Sequence, residues 1–374
     1  MHGNEGAEAV RHGAVVPQSS FWGYIGSGEF RTALLDHRGL ALLALIQLAI
    51  ALMLASYLEI PFIPHLYLSN IIVVLVPLVF AVMLIYRTSV MILFHRPARP
   101  LLWLMKDLTA PIAHPTSLAN GIAGLAVMLP FLNSYMFVKA TIPAIVPFKW
   151  DAVFARADRV LHLGRPPFAW IYAIHWPSWA VTVVNFFYHA WFFVLFGTLF
   201  ATVFSRARRE LRLTFLYAFL LTWAVGGNLL ALLFSSAGPV YVERLGFGNE
   251  FQPLVQLLVD AAKSSPVWAL DLQDMLWQGY VASDGRWGGI SAMPSMHVAS
   301  AVLFALLGFG INRSLGYILA AFAVMIMLGS VALGWHYAID GYVGALVATA
   351  NWFLATRLSR SAGVFGLAKP PGDS

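Results

Sequence analysis

Long apolar segments constrain the fold of this chain more than any other feature. A helix needs about 20 apolar residues to cross the hydrocarbon core of a bilayer. About eight segments meet this length, and they lie near 39–57, 70–94, 118–138, 181–204, 213–234, 297–312, 315–335 and 337–357. Only 11% of the residues are charged, whereas a soluble domain carries about a quarter. The sequence therefore predicts an all-α integral membrane protein with about eight transmembrane helices.

Basic residues follow a pattern that predicts the orientation of these helices. Arginines crowd residues 206–212, between the fourth and fifth segments, and Arg357 and Arg360 follow the last segment. Basic residues in short loops mark the cytoplasmic face. Both termini are then cytoplasmic, and the long loops 139–180 and 235–296 lie on the other face. The net charge of +6 fits this topology signal better than a nucleic-acid surface, so we expect no nucleic-acid partner.

Two short polar islands begin apolar segments on that other face: Ser291–His297 (SAMPSMH) and Gly334–Asp340 (GWHYAID). Polar side chains at the rim of a membrane helix are costly and usually functional. His336 and Asp340 share a helix face if the helix includes both, so the carboxylate can orient the imidazole as a nucleophile. His297 is then a separate proton donor, and Ser295 precedes a helix N-terminus suited to an anion.

The motif Pro294-Ser295-Met296-His297, followed by His336-x-x-x-Asp340, resembles the second and third motifs of the type-2 phosphatidic acid phosphatase superfamily. The fuller strings look most like its inositol phosphorylceramide synthase-type branch, and residues 235–241 (SSAGPVY) are similar to that branch's degenerate first motif.

This resemblance covers roughly residues 118–357 and implies a six-helix phosphatase-type catalytic core. Two extra transmembrane helices and a linker (39–117) would precede the core. Residues 1–38 would form a cytoplasmic N-terminal segment, and 358–374 a cytoplasmic tail.

The resemblance also implies a mechanism. His336 would attack the phosphorus of a lipid phosphate or phosphodiester lipid and form a phosphohistidine, Asp340 would orient it, and His297 would protonate the leaving oxygen. Water or an alcohol such as inositol would accept the group, without a metal or cofactor. The expected location is the bacterial inner membrane, with the site on the periplasmic face. The opposing hypothesis is a lipid-binding or transport protein that has kept the fold without the chemistry.

The basic residues that the family's phosphatases use to hold phosphate are missing here, since Gly238 and Ser330 stand where arginines are usual. We expect Arg286 to replace them, together with Ser295 and the backbone amide of Met296. A membrane-surface arginine that meets lipid headgroups is an equally weighted reading of Arg286. Arg244 and Lys139 are the other cations expected on this face.

Further polar residues form a candidate pocket for the headgroup or the acceptor alcohol: Asn185, His189, Asn228 and Tyr241. Hydrogen bonding between helices is the favoured alternative for those within the membrane segments. Residues 139–180 and 251–280 contain amphipathic helices, which either roof the site or lie separately at the membrane interface.

Overall fold

The computed structural model describes residues 28–63, 77–283 except 79 and 82, and 289–364, and it is helical throughout its regular elements. The longer helices, in chain order, are α1 (Gly28–Leu58), α2 (Met83–His95), α3 (Pro100–Ala113), α4 (Pro115–Ile145), α5 (Asp151–Leu161), α6 (Ser178–Val203), α7 (Arg209–Leu233), α8 (Gln252–Ala262), α9 (Trp268–Ala282), α10 (Met296–Ile311), α11 (Arg313–Ala332) and α12 (Ala338–Val364).

In the described part of the chain, 6 helices are long and apolar enough to cross a membrane: α1, α4, α6, α7, α11 and α12. The apolar helices α2 and α10 are shorter. These elements confirm the predicted all-α membrane fold. Three boundaries differ from the prediction by seven or more residues, because α1 already begins at Gly28, α4 continues to Ile145, and α12 continues to Val364, into the predicted tail. Lys139 therefore lies inside a helix instead of in the loop expected there. Residues 70–76 of the predicted second segment lie outside the described residues.

Helix α7 lies at the centre of the bundle. Its Phe215, Leu216, Phe219 and Leu220 side chains are fully buried, because other helices surround α7, including α12 and α10. Helices α10 and α11 form a tight hairpin in which a Cβ on Gly308 would lie 3.1 Å from the backbone of Gly316. Small residues at such crossings let membrane helices pack closely.

Helix α1 runs parallel to α4. Ala33, near the start of α1, packs with Ala119 and Ala123 near the start of α4. Near the other end, Ala51 packs with Phe137 and its neighbour in α4. The two helices therefore begin at the same end of the bundle, which requires the chain between them to cross back an odd number of times.

Helices α5, α8 and α9 cover the opposite end of the bundle. Leu254 and Leu258 of α8 and Ala269 of α9 are buried in the main core. The backbone N–H of Ala269 donates to the side-chain Oδ1 of Asn185 in α6, at 3.2 Å. These contacts favour the roofing alternative over helices that lie separately at the membrane interface.

Candidate active site

Three loops meet beneath this roof. They are the first loop (235–241), the second loop (291–297) and the third loop (334–340). The backbone N–H of Ala292 donates to the carbonyl oxygen of Ser236 at 2.9 Å, which joins the second loop to the first. The N–H of Val240 donates to the carbonyl of Gly334 at 3.2 Å, which joins the first to the third. The two histidine islands and residues 235–241 thus form one backbone-linked unit.

His336 is buried, and its imidazole is fixed by a backbone carbonyl. Its Nδ1 lies 2.8 Å from the carbonyl oxygen of Ala292. A carbonyl only accepts hydrogen bonds, so Nδ1 carries the proton and Nε2 keeps its lone pair. Burial, and next the positive charge of Lys139, lower the pKa of His336 to about 3. At neutral pH the imidazole is therefore uncharged, as a nitrogen nucleophile must be.

Asp340 does not make the hydrogen bond to His336 that a shared helix face would give. Its Oδ2 lies 3.5 Å from Nδ1 of His336, but it accepts a hydrogen bond from the backbone N–H of Tyr337 at 3.0 Å. The reason is that α12 begins only at Ala338, so His336 precedes the helix and the i, i+4 geometry does not apply. Ala292 holds the imidazole, and Asp340 holds the turn that carries it.

His297 lies in the first turn of α10, between aromatic rings of α6. The centroid of its ring is 4.5 Å from that of Tyr188, with the planes 13° apart, and 4.1 Å from that of Trp191. The centroids of the His297 and His336 rings are 6.3 Å apart. A reacting atom about 3 Å from both groups, as proton transfer and nucleophilic attack require, fits between them.

The two histidines line a cavity of about 260 Å³ that extends along the helices. Its walls come from α4, α6, α7, α9 and the three loops, and most of its lining is apolar or aromatic. Of the described residues that line it, Lys139 is the one with a lysine, arginine or carboxylate side chain. The deep part of the cavity is lined by Leu132, Leu195, Phe196 and Leu199.

The predicted phosphate-binding residues occupy different places. Met296 lines the cavity. Ser295 is fully buried, its Oγ accepts the N–H of Val298 at 3.4 Å, and it caps α10 without lining the cavity. Arg286 lies outside the described residues. Their roles stay predictions.

Only some of the residues predicted to bind the headgroup line the cavity. His189 and Tyr241 line the cavity, whereas Asn185 and Asn228 do not. Asn185 is fully buried and joins α6 to α9 through its bond to Ala269, which is the interhelical role favoured as the alternative. Asn228 lies buried in the π-helical turn Val225–Leu230 of α7.

Asp151 of α5 is a site-building residue that the sequence reading missed. Its carboxylate accepts hydrogen bonds from the backbone N–H groups of Ala237 (3.0 Å) and Gly238 (2.8 Å) and from the hydroxyl of Tyr337 (2.9 Å). It therefore ties the first loop to the third. Burial raises the pKa of this carboxyl group, and the hydrogen bonds oppose that shift.

Asp158, two turns later on α5, caps the helix that follows the third loop. Its carboxylate accepts the N–H groups of Ala338 at 2.7 Å and Ile339 at 2.9 Å. A carboxylate at a helix N-terminus satisfies unpaired amides and stabilises the helix dipole. In the sequence both aspartates look like ordinary polar residues of an amphipathic helix, so no local signal distinguished them.

The backbone at Gly238, where the resemblance implies a missing arginine, excludes any side chain. Its φ is +101°, and a Cβ would lie 2.5 Å from the carbonyl oxygen of Trp335. Only glycine tolerates this combination of positive φ and close backbone approach. The first loop thus packs its backbone directly against the residue before His336.

Among the described residues, no group of three or more histidines and carboxylates is arranged to hold a metal ion. The family model described as "PAP2 superfamily" matches residues 152–354, which include α5 except its first residue, Asp151, and all three loops. Comparison with curated proteins and with solved structures gives no significant match.

Proposed function

The chain belongs to the PAP2 superfamily, and from this premise we propose that it is a lipid phosphatase or phosphotransferase that works through a phosphohistidine on His336. Family membership supports an integral membrane enzyme with a phosphatase-type activity on lipid phosphates. The observation that carries the mechanism is the pair of histidine rings, whose centroids are 6.3 Å apart and which line one cavity.

The reaction has two steps. In the first, the lone pair on Nε2 of His336 attacks phosphorus, the bond from phosphorus to the leaving oxygen breaks, and a protonated His297 gives its proton to that oxygen. In the second, His297 takes a proton from water or an alcohol as its oxygen attacks phosphorus, and the bond to Nε2 breaks. The carbonyl of Ala292 holds Nδ1 throughout, at 2.8 Å, which keeps Nε2 directed at the reacting group.

The cavity supports a lipid as the substrate. Its lining follows α6 from Tyr188 to Leu199, a rise of about 16 Å at 1.5 Å per residue. This is about half of the ~30 Å hydrocarbon core, which is the depth of one leaflet. A phosphate placed at the histidines leaves the apolar part of the cavity for an acyl chain.

The proposal also includes the membrane face on which the site lies and the molecule that accepts the phosphoryl group. Arg206, Arg209 and Arg212 lie where α1 and α4 begin, around Gly28 and Thr116, and so at the end of the bundle opposite the histidines. Basic residues favour the cytoplasmic side, which would put the site on the periplasmic face of a bacterial inner membrane. The likeness of the motifs to the inositol phosphorylceramide synthase-type branch supports an alcohol, such as inositol, as acceptor.

The test is turnover and phosphoenzyme formation by purified protein in detergent micelles, with a panel of phospholipids, with and without inositol or glycerol. We expect His336→Ala to abolish both, and the exposed His175→Ala, as a matched histidine control, to keep both. The phosphoenzyme should be acid-labile and stable in base. Equal turnover by His336→Ala and the unchanged protein would refute the nucleophile assignment. Lipid binding without turnover or phosphoenzyme would favour the transport or lipid-binding alternative.

A further inference from the structure

Lys139 reaches the candidate active site from a helix outside the part of the chain that the family model matches. It lies near the end of α4, whereas the match begins at residue 152. It lines the same cavity as His297 and His336. Its ammonium group has no ion-pair or hydrogen-bond partner among the described residues. An unpaired lysine within a membrane helix is costly and marks a functional site.

The resemblance implies arginines at two positions that hold Gly238 and Ser330 in this chain. Without those arginines, another cation is needed at the phosphate. Gly238 has no room for a side chain. Ser330 is fully buried, and its hydroxyl donates to the carbonyl of Ile326 at 2.9 Å within α11. Neither position places a positive charge at the histidines. Transfer of a phosphoryl group develops charge on its oxygens, which enzymes stabilise with preorganised cations and hydrogen-bond donors.

Two neutral donors accompany the lysine. The indole Nε1 atoms of Trp191 and Trp335 are buried and have no hydrogen-bond partner in the described part of the chain, and both residues line the cavity. An indole N–H can only donate, and buried polar groups are normally paired. A ligand in the cavity therefore lies against the rings of Trp191 and Trp335, and Lys139 is the one described lining residue that offers it a full positive charge.

We propose that Lys139 is the cation that binds the substrate phosphate, and that the cavity therefore selects singly charged lipid phosphodiesters over doubly charged lipid phosphomonoesters. The inference rests on the proposed function. A phosphomonoester carries a charge of about −1.5 to −2 at neutral pH, whereas a phosphodiester has one ionisable oxygen and carries −1. Once His297 has given its proton to the leaving oxygen, Lys139 is the one cation that the described lining residues place beside the transferred group, and it neutralises the single negative charge of the group that comes from the diester. With the monoester, an unpaired negative charge would remain in an apolar cavity, where it is costly.

The experiment compares dioleoyl phosphatidylglycerol with dioleoyl phosphatidic acid, at equal mole fraction in detergent micelles. Diacylglycerol release reports cleavage of the same phosphorus–oxygen bond in both lipids. At pH 7.5 we expect kcat/KM for the diester to exceed that for the monoester at least ~10-fold. Phosphatidic acid gains a proton with a pKa near 6, so the ratio should narrow at pH 5.5. Preference for phosphatidic acid at pH 7.5 would overturn the inference.

Variants of Lys139 test the residue itself. Lys139→Met should lower kcat/KM for the diester by about 100-fold, as loss of one oxyanion-stabilising group does. Lys139→Arg should stay within about 10-fold of the unchanged protein, since it keeps the charge with a different geometry. Lys263→Met is the matched control, because Lys263 is exposed and paired with Asp260. If Lys139→Met turns over the diester as fast as the unchanged protein, the assignment is overturned. It is also overturned if Arg286→Met loses turnover while Lys139→Met keeps it.

Two further readouts separate the possible failures. Removal of an unpaired, half-buried charge should leave the melting temperature of Lys139→Met unchanged or raise it, whereas a merely structural lysine would lower it. If His336→Ala retains turnover, the proposed function fails and not this inference. If neither lipid is turned over, the affinity for dihexanoyl phosphatidylglycerol, measured by calorimetry, tests the inference instead. Lys139→Met should then weaken binding at least ~10-fold, and equal affinity overturns the inference.

Discussion

Removal of the Asp151 carboxylate should destabilise the protein more than any other single change in α5. Its oxygens accept hydrogen bonds from Ala237, Gly238 and Tyr337, which belong to the first and third loops. Asp151 is only 2% exposed, so water cannot replace the carboxylate at these donors. In Asp151→Ala, two backbone amides and one hydroxyl remain buried without their acceptor.

The magnitude follows from the number and kind of these bonds. A hydrogen bond to a charged group contributes about 1.5–3 kcal/mol, and a buried donor left unpaired costs a similar amount. Because burial opposes the charged form and raises the pKa of Asp151, we use the low end. Three donors at about 1.5 kcal/mol each give a loss of roughly 4–5 kcal/mol for Asp151→Ala.

Asp151→Asn separates the hydrogen bonds from the charge. Oδ1 accepts from both Gly238 and Tyr337, and an amide oxygen can keep these two bonds. Ala237 donates to both oxygens, at 3.1 and 3.0 Å, so one weakened contact and the lost charge should cost about 1–2 kcal/mol.

The assay is unfolding in mixed micelles, titrated with a denaturing detergent, with diacylglycerol release measured on the same samples under native conditions. Asp260→Ala on α8 is the control, because Asp260 is exposed and paired with Lys263. Turnover should fall with Asp151→Ala even where the protein remains folded, since the first loop packs against the residue before His336. An unfolding free energy for Asp151→Ala equal to that of the unchanged protein would refute the reasoning, as would equal losses for the alanine and asparagine variants.

Two other changes test the geometry of the loops. Gly238→Arg restores the residue usual in the family's phosphatases, yet it should abolish turnover and lower the melting temperature, because a Cβ there meets the carbonyl of Trp335 at 2.5 Å; a gain of activity would contradict this packing. His336 has a folded pKa of about 3, below the ordinary ~6.5, so between these values the unfolded chain binds more protons and stability falls as pH falls. At pH 5 the loss is about 2 kcal/mol, and His336→Asn should remove it; an unchanged pH dependence of unfolding in that variant would contradict the burial of an uncharged imidazole.

The apolar segments and the two histidine islands were sufficient to predict the membrane fold and the superfamily. Hydrophobicity over about 20 residues is a local property, and it survives any rearrangement of loops. A histidine or aspartate beside such a segment is conspicuous because its burial is costly. His297 and His336 therefore stood out in the sequence, and the structure places both at one cavity.

Only the tertiary structure decided which groups surround these histidines. The partner of His336 is the carbonyl of Ala292, 44 residues away, instead of the nearby Asp340 carboxylate that the spacing favoured. Asp151 reaches Tyr337 across 186 residues of chain, and Lys139 enters the cavity because α4 extends further than its apolar run suggested. Such contacts depend on how helices pack and where each helix begins, so they have no signature in local composition. The sequence determined which residues are costly to bury in a membrane, and the packing of distant segments determined what these residues contact.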